Sequence, residues 1–357
     1  MATQDDRFLR ACRRAAVRPT PVWFMRQAGR YMPEYRAVRA RFSLLDIVRR
    51  PDLCVEVTLQ PVRRLGVDAA ILFSDISVLF EGLGVPFELQ EGVGPVVPQP
   101  VRTGEAVERL DPGGVVERLP FVMESIRLLR RELRVPLIGF AGAPFTLASY
   151  LVEGGPSRTF AETKRLMHGD AGLWHALMER LTSAVEAFAR AQVEAGAQAI
   201  QLFDSWVGAL APADFDERVA PHLRRLVAAL RQTGVPVIYF GVDTGGLLER
   251  IAALGPTVVG LDWRVDLGEA WRRVGYDRAV QGNLDPSVLR APWPVVERRA
   301  RQVLDAAAGR PGHVFNLGHG VLPDTDPAVL ARLVEWVHEQ TAGAQAPGAA
   351  PPAGGAS

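Results

Sequence analysis

Short apolar runs that end in polar groups recur along this 357-residue chain, separated by helix-length stretches with apolar residues three or four apart. The runs are Val22–Met25, Ala69–Ser74, Pro136–Ala141, Gln198–Phe203, Pro236–Gly241, Val258–Asp262, Ala279–Gly282 and His313–Leu317. Each is rich in β-branched or aromatic residues. Their apolarity is continuous rather than alternating, the pattern of parallel strands covered by helices on both faces. Eight such strands predict a (β/α)₈ barrel of the TIM type. A doubly wound open sheet is the alternative, but no Gly-x-Gly-x-x-Gly follows the first run, so a dinucleotide crevice has no support.

Helices are predicted over Asp6–Val17, Pro51–Leu65, Val116–Leu133 and Leu173–Ala195 from their apolar spacing. Val85–Val101 interrupts the alternation with Gly92 and Gly94 between short apolar segments, which predicts an inserted hairpin. Residues 1–341 are therefore expected to form one barrel domain. From Ala342 to Ser357 the chain has no charge and no large apolar side chain, so a disordered tail is expected.

Composition narrows the chemistry. With 48% hydrophobic residues and a net charge of +1, the surface as a whole calls for neither nucleic acid nor an anionic membrane as partner. The first residues lack a hydrophobic signal core and no apolar run reaches bilayer length, so a soluble, cytoplasmic protein is expected. Cys12 and Cys54 are the only cysteines and lie far apart, which offers no disulfide framework and no Cys-x-x-Cys metal site. Lys164 is the only lysine, so Schiff-base or pyridoxal chemistry would rest on one residue in the polar, helix-like Phe160–His168.

Against that balanced background, Pro21-Val-Trp-Phe-Met-Arg-Gln-Ala-Gly-Arg-Tyr-Met-Pro-Glu-Tyr-Arg36 stands out. It concentrates Arg26, Arg30 and Arg36, with Arg39 just beyond, against the single carboxylate of Glu34. Arginine grips carboxylates or phosphates through paired hydrogen bonds, so the segment is either an anion site or a solvated basic loop. In a barrel, functional groups collect at the carboxyl ends of the strands. Those ends here carry Arg26 and Arg30, Asp75, the loop to Tyr150, Asp204 and Ser205, Asp243, Asp262 and Arg264, Asn283 and Asp285, and Asn316 and His319. Asp75 reads as a helix N-cap or as an acceptor for a ligand that becomes cationic in the transition state. Tyr150 reads as a buried helix aromatic or a ligand contact, and Ser205 as a cap or a contact. His319, between Gly318 and Gly320, has backbone freedom to approach a ligand. With one histidine at a strand end, a metal cage is not expected, although paired Asp side chains leave a magnesium site open.

The segment Trp23–Arg36 resembles the N-terminal signature of the uroporphyrinogen decarboxylase family. Further blocks are similar and in the same order: Ile71-Leu-Phe-Ser-Asp-Ile76, Gly139-Phe-Ala-Gly-Ala-Pro-Phe-Thr-Leu147, Phe203-Asp-Ser-Trp206, Gly260-Leu-Asp-Trp-Arg-Val-Asp266, Gln281-Gly-Asn-Leu-Asp-Pro286 and Phe315-Asn-Leu-Gly-His-Gly320. The likeness runs from about Phe8 to about Val337. It implies a (β/α)₈ barrel, commonly a homodimer with facing clefts, that removes CO₂ from the four acetates of uroporphyrinogen III without metal or organic cofactor. It implies substrate contacts at Arg26, Gln27, Ala28, Gly29, Arg30, Asp75, Tyr150, Ser205 and His319, with Arg39 a weaker correspondence. Asp75 and Arg26 carry the catalytic roles, Arg26 as candidate proton donor. The competing readings are a methyltransferase of the same barrel superfamily, which would bind zinc through His and Cys, and a non-catalytic tetrapyrrole or polyanion carrier.

Overall fold

A computed structural model describes residues 5–343 of the chain. Its strands are β1 (Ala70–Ile71), β2 (Glu88–Gln90), β3 (Gly94–Val96), β4 (Leu137–Gly142), β5 (Ala199–Asp204), β6 (Val237–Gly241), β7 (Val258–Gly260), β8 (Ala279–Gln281) and β9 (His313–Val314). Seven of them form one parallel sheet in the order β1-β4-β5-β6-β7-β8-β9, each neighbour reached through helical sequence. The sheet curls as a TIM-type barrel does, with helices outside and the carboxyl ends at one mouth. Strand residues are buried almost throughout, every residue of β4 among them, as continuous apolarity demands of a sheet covered on both faces.

The stave predicted at Val22–Met25 is reduced to one bridging residue. Val22 pairs in parallel with Phe315, and its carbonyl accepts the Asp68 N–H at 2.8 Å, so it spans the gap between β9 and β1. The ladder stops there because side chains take the next amides: Gln27 Oε1 accepts Phe24 N–H and Asn316 Oδ1 accepts Met25 N–H, both at 3.2 Å. A similar substitution shortens Ala69–Ser74 to β1. There Thr58 Oγ1 accepts the Phe73 N–H at 3.0 Å and Cys54 Sγ donates to the Phe73 carbonyl.

The hairpin is formed by β2 and β3, antiparallel, with Gly92 at φ 77° in its turn. The helix predicted over Val116–Leu133 is two, Val115–Arg118 and Pro120–Glu132. Proline cannot continue a helix but can begin one, and Pro120 stands at the first position of the second. Helices Pro51–Leu65 and Ala171–Ala195 match the predicted spans to within two residues. The final helix runs from Pro327 to Ala342. Beyond Gly343, the predicted tail lies outside the described residues. Among the described residues no helix is long and apolar enough to cross a membrane.

Candidate active site

The arginine segment leaves Val22 as a tight turn at the barrel mouth, and its four cations divide by what they touch. Arg36 Nη1 donates to the carbonyls of Arg30 and Tyr31, each at 2.9 Å, and Arg39 Nη1 donates to the Phe42 carbonyl at 2.6 Å. These two shape the loop. Arg26 and Arg30 are exposed, with no carboxylate partner among the described residues. Gln27 is buried, its Nε2 donating to the Ala69 carbonyl at 3.1 Å while its own carbonyl accepts the Tyr31 hydroxyl at 2.5 Å. Its side chain is spent on pinning the turn, whereas the N–H groups of Ala28, Gly29 and Arg30 make no hydrogen bond among the described residues.

Arg26 adopts φ 60°, a left-handed conformation that costs a non-glycine residue roughly 1–3 kcal/mol and clusters at functional sites. The surroundings hold it there. Gln27 N–H donates to the Phe24 carbonyl, and Val321 N–H to that of Met25. The side chain crosses Gly320 so closely that a Cβ at that position would lie 2.4 Å from Arg26 Cδ. Gly318 meets the Trp263 backbone in the same way, a Cβ there standing 2.3 Å from its nitrogen. The glycines beside His319 therefore serve close packing, not the backbone freedom expected of them; neither has a positive φ.

Asp75, beyond β1, proves half structural. Its Oδ1 accepts Ser77 N–H at 2.9 Å and the Ser77 hydroxyl at 2.6 Å, closing a turn ahead of helix Val78–Gly82. Oδ2 has no hydrogen bond among the described residues. Tyr150, in helix Pro144–Glu153 after β4, lies within electrostatic reach of both Asp75 and Arg26. Burial, then the Asp75 charge, pushes its hydroxyl up to about 12, opposed by a hydrogen bond from Trp206 and by Arg26. Ser205 follows β5 and caps nothing; the short turn Val207–Ala209 begins at Trp206 without a side-chain cap.

His319 is drawn down to about 4, first by burial and then by the charges of Arg26 and Arg264. Its ring meets that of Trp263 edge-on at 5.9 Å. The charge of Arg26 thus bears on both Tyr150 and His319. Arg30 stands farther out, where its charge bears on Tyr35.

Other strand-end groups belong to the frame. Asp204 is fully buried, accepting Thr146 Oγ1 at 2.6 Å and the Tyr239 hydroxyl at 2.7 Å, and burial raises its carboxyl to about 6. Thr146 Oγ1 in turn accepts the Trp206 N–H, so Asp204 fixes the base of the Tyr150 helix against the Ser205 loop. Tyr239→Phe removes one donor from a buried carboxyl and is expected to destabilise the fold by about 1–3 kcal/mol, read as a lower urea midpoint. Lys164 Nζ donates to the Ala209 carbonyl. Both cysteines are buried in outer helices, and among the described residues no three His, Cys, Asp or Glu side chains converge as a metal would require.

The uroporphyrinogen decarboxylase (URO-D) family model matches residues 3–340. The chain belongs to the uroporphyrinogen decarboxylase family. Relatives named uroporphyrinogen decarboxylase include one from Sorangium cellulosum, 56% identical over 93% of this chain and 96% of its own length. Another, from Salinispora tropica, is 57% identical over 95% of this chain and 91% of its own. A solved methyltransferase from Methanosarcina mazei superposes with a TM-score of 0.81, covering 95% of this chain and 99% of its own, but at 20% identity it shows the shared fold alone.

Against the decarboxylase motifs, residue-by-residue reading missed Trp206, whose ring lies 5.9 Å from that of Tyr150, and Trp263, which packs on His319. Their signal was position: an indole one or two residues beyond a strand-end polar group. Protonation gives a further expectation. His313, buried with Nε2 2.9 Å from the Gly282 carbonyl, is also pushed down to about 4. An unfolded histidine takes up its proton near pH 6.5, so both rings cost stability as pH falls from there towards 4. The raised Asp204 acts oppositely, its contribution growing as pH falls through 6. His222, lowered chiefly by burial, acts in the same direction as the other two histidines, so stability is expected to fall from neutral pH towards 4. Unfolding midpoints across pH 7 to 4 check the slope, and ring-proton NMR should find the His313 and His319 imidazoles neutral at pH 6.

Proposed function

We propose that this protein decarboxylates uroporphyrinogen III, converting its four acetate side chains to methyls and giving coproporphyrinogen III in haem and porphyrin biosynthesis. The observation that carries the reading is the Asp75 carboxylate, with one oxygen unpaired among the described residues and its charge bearing on Tyr150 together with that of Arg26. That set suits a ligand whose rim is anionic and whose centre presents N–H groups.

Loss of CO₂ from an acetate leaves an electron pair on carbon, which a cofactor would ordinarily accept. A pyrrole bearing the acetate can accept it instead. Protonation of the ring carbon makes a cation, CO₂ departs as that ring takes up the electrons, the exocyclic methylene is protonated to methyl, and the ring carbon gives back its proton to restore the pyrrole. Each turn consumes one proton and one carboxylate. Asp75 Oδ2 accepts the pyrrole N–H bonds and stabilises the cation in a water-poor site, the mirror image of an oxyanion hole. Arg26, Arg30 and the free amides of Ala28 and Gly29 hold side-chain carboxylates, each charge-assisted bond contributing about 1.5–3 kcal/mol. Tyr150, Ser205 and the neutral His319 supply further donors. A guanidinium keeps its proton near neutral pH, so Arg26 as proton donor calls for an unusual environment or for a water held by Arg26 that itself gives up the proton.

We also place the enzyme in the cytoplasm as a homodimer with facing clefts, without metal or organic cofactor and without nucleic-acid or membrane partners, as the family resemblance implies. The test is anaerobic incubation with uroporphyrinogen III, followed by chromatographic counting of carboxylates. Stepwise loss of four carboxylates supports the reading. Tight binding without loss makes the protein a carrier.

A further inference from the structure

The groups assigned to the substrate leave one arc of the mouth empty. Going round the barrel they come from the Val22 stave, β1, β4, β5 and β9; β6, β7 and β8 contribute none. The side-chain cations among them, Arg26 and Arg30, stand together on the Val22 stave. A macrocycle carrying carboxylates on every pyrrole would be held on one flank only.

Arg264, just past β7, stands in the middle of the empty arc and is built to stay there. Its guanidinium lies 4.0 Å over the Trp263 ring, Nη1 pairs with Asp262 Oδ2 at 3.0 Å, and its N–H donates to Asp262 Oδ1. Asp262 itself is buried and also accepts the Asp243 N–H. Asn283 Nδ2 ties the loop down through the carbonyls of Asp262 and Val265. Yet the Arg264 side chain keeps 42% exposure, and one nitrogen in Asp262's grip leaves the rest of the fork as donors. The close approach of Gly318 to Trp263 locks this loop to the one bearing His319. At His319 the arginine's charge outweighs that of its Asp262 partner. Arg264 also lines a cavity of about 570 Å³, but that cavity sets Asp266, Asp285 and Asp305 against Arg264 and Arg299, an unfavourable home for a polyanion.

We infer that Arg264 is a further substrate-binding residue, which grips a side-chain carboxylate of the tetrapyrrole across the mouth from Arg26 and so fixes the rotation of the macrocycle. The inference rests on the substrate class proposed above. A preorganised fork loses little freedom on binding, so its effect falls on capture rather than on the bond-breaking step.

Arg264→Met, which keeps an unbranched chain on Trp263, should raise KM for uroporphyrinogen III roughly 10- to 100-fold with kcat changed less than about threefold, and Arg264→Lys should recover part of the loss. Removing the charge should also raise the His319 titration midpoint, seen by ring-proton NMR. An unchanged KM in both variants overturns the inference, as does a lowered kcat at constant KM. If Arg264→Met proves unstable, the Lys variant decides by the same KM criterion. If the wild-type protein binds the octacarboxylate without turning it over, the decarboxylase reading fails by itself, and the Kd of the two variants by fluorescence quenching decides Arg264 instead: a rise supports it, no change overturns it.

Discussion

Asp75→Asn is expected to lower kcat at least about 10³-fold while leaving the protein folded and tetrapyrrole binding within a few-fold. The loss should sit at or beyond the upper end of the roughly 10²–10³ typical for a single stabilising group, and the reason lies in the turn. Asp75 Oδ1 is committed to the Ser77 N–H and hydroxyl. An asparagine must keep its oxygen there, which places its NH₂ group where Oδ2 stood. The variant therefore loses the negative charge and also turns a donor towards the pyrrole N–H groups. Asp75→Glu keeps the charge but displaces it by a methylene, so it should retain more activity than the amide. Anaerobic kcat measurements with separately determined Kd values separate the chemical step from capture.

Arg26→Lys is expected to reduce kcat/KM by about 10²-fold, because an ammonium cannot reproduce a fork that bridges two carboxylate oxygens. A lysine in the same left-handed backbone leaves the turn intact, so thermal stability should change little. Gly320→Ala should mimic the defect from outside the loop. Its Cβ would fall 2.4 Å from Arg26 Cδ and 2.7 Å from Cγ, which forces the arginine out of its path. Turnover of Arg26→Lys at the wild-type rate with an unchanged pH profile would remove Arg26 from proton transfer.

Much of the fold was legible in the chain because a two-faced parallel sheet imposes continuous apolar runs, and β4 to β9 lie where such runs occur. The first stave was not. Whether Val22–Met25 pairs as a strand depends on Gln27 and Asn316 reaching its amides, a matter of tertiary contact that apolarity does not encode. The division of Val116–Leu133 was available in Pro120 and was overridden by the apolar spacing on either side.

At the mouth, residue type left an anion site and a solvated basic loop both open, and did not say which arginines the loop itself uses. Arg36 and Arg39 donate to carbonyls that a linear reading cannot place. For Asp75 the structure shows no helix N-cap, a place taken by Ser77 without a side-chain cap: one carboxylate oxygen closes a turn onto Ser77 and the other makes no hydrogen bond among the described residues. Glycines flanking His319 suggested freedom. Their cause is the crowding of Arg26 and Trp263, which only the folded chain reveals.

The most direct measurement is an anaerobic crystal structure of the protein with coproporphyrinogen III bound. Asp75 Oδ2 should lie within about 2.7–3.2 Å of pyrrole nitrogens, with Arg26 on a side-chain carboxylate. Pyrrole nitrogens facing solvent or another side chain, with Asp75 outside the ligand's reach, would contradict the mechanism in which the substrate ring accepts its own electrons.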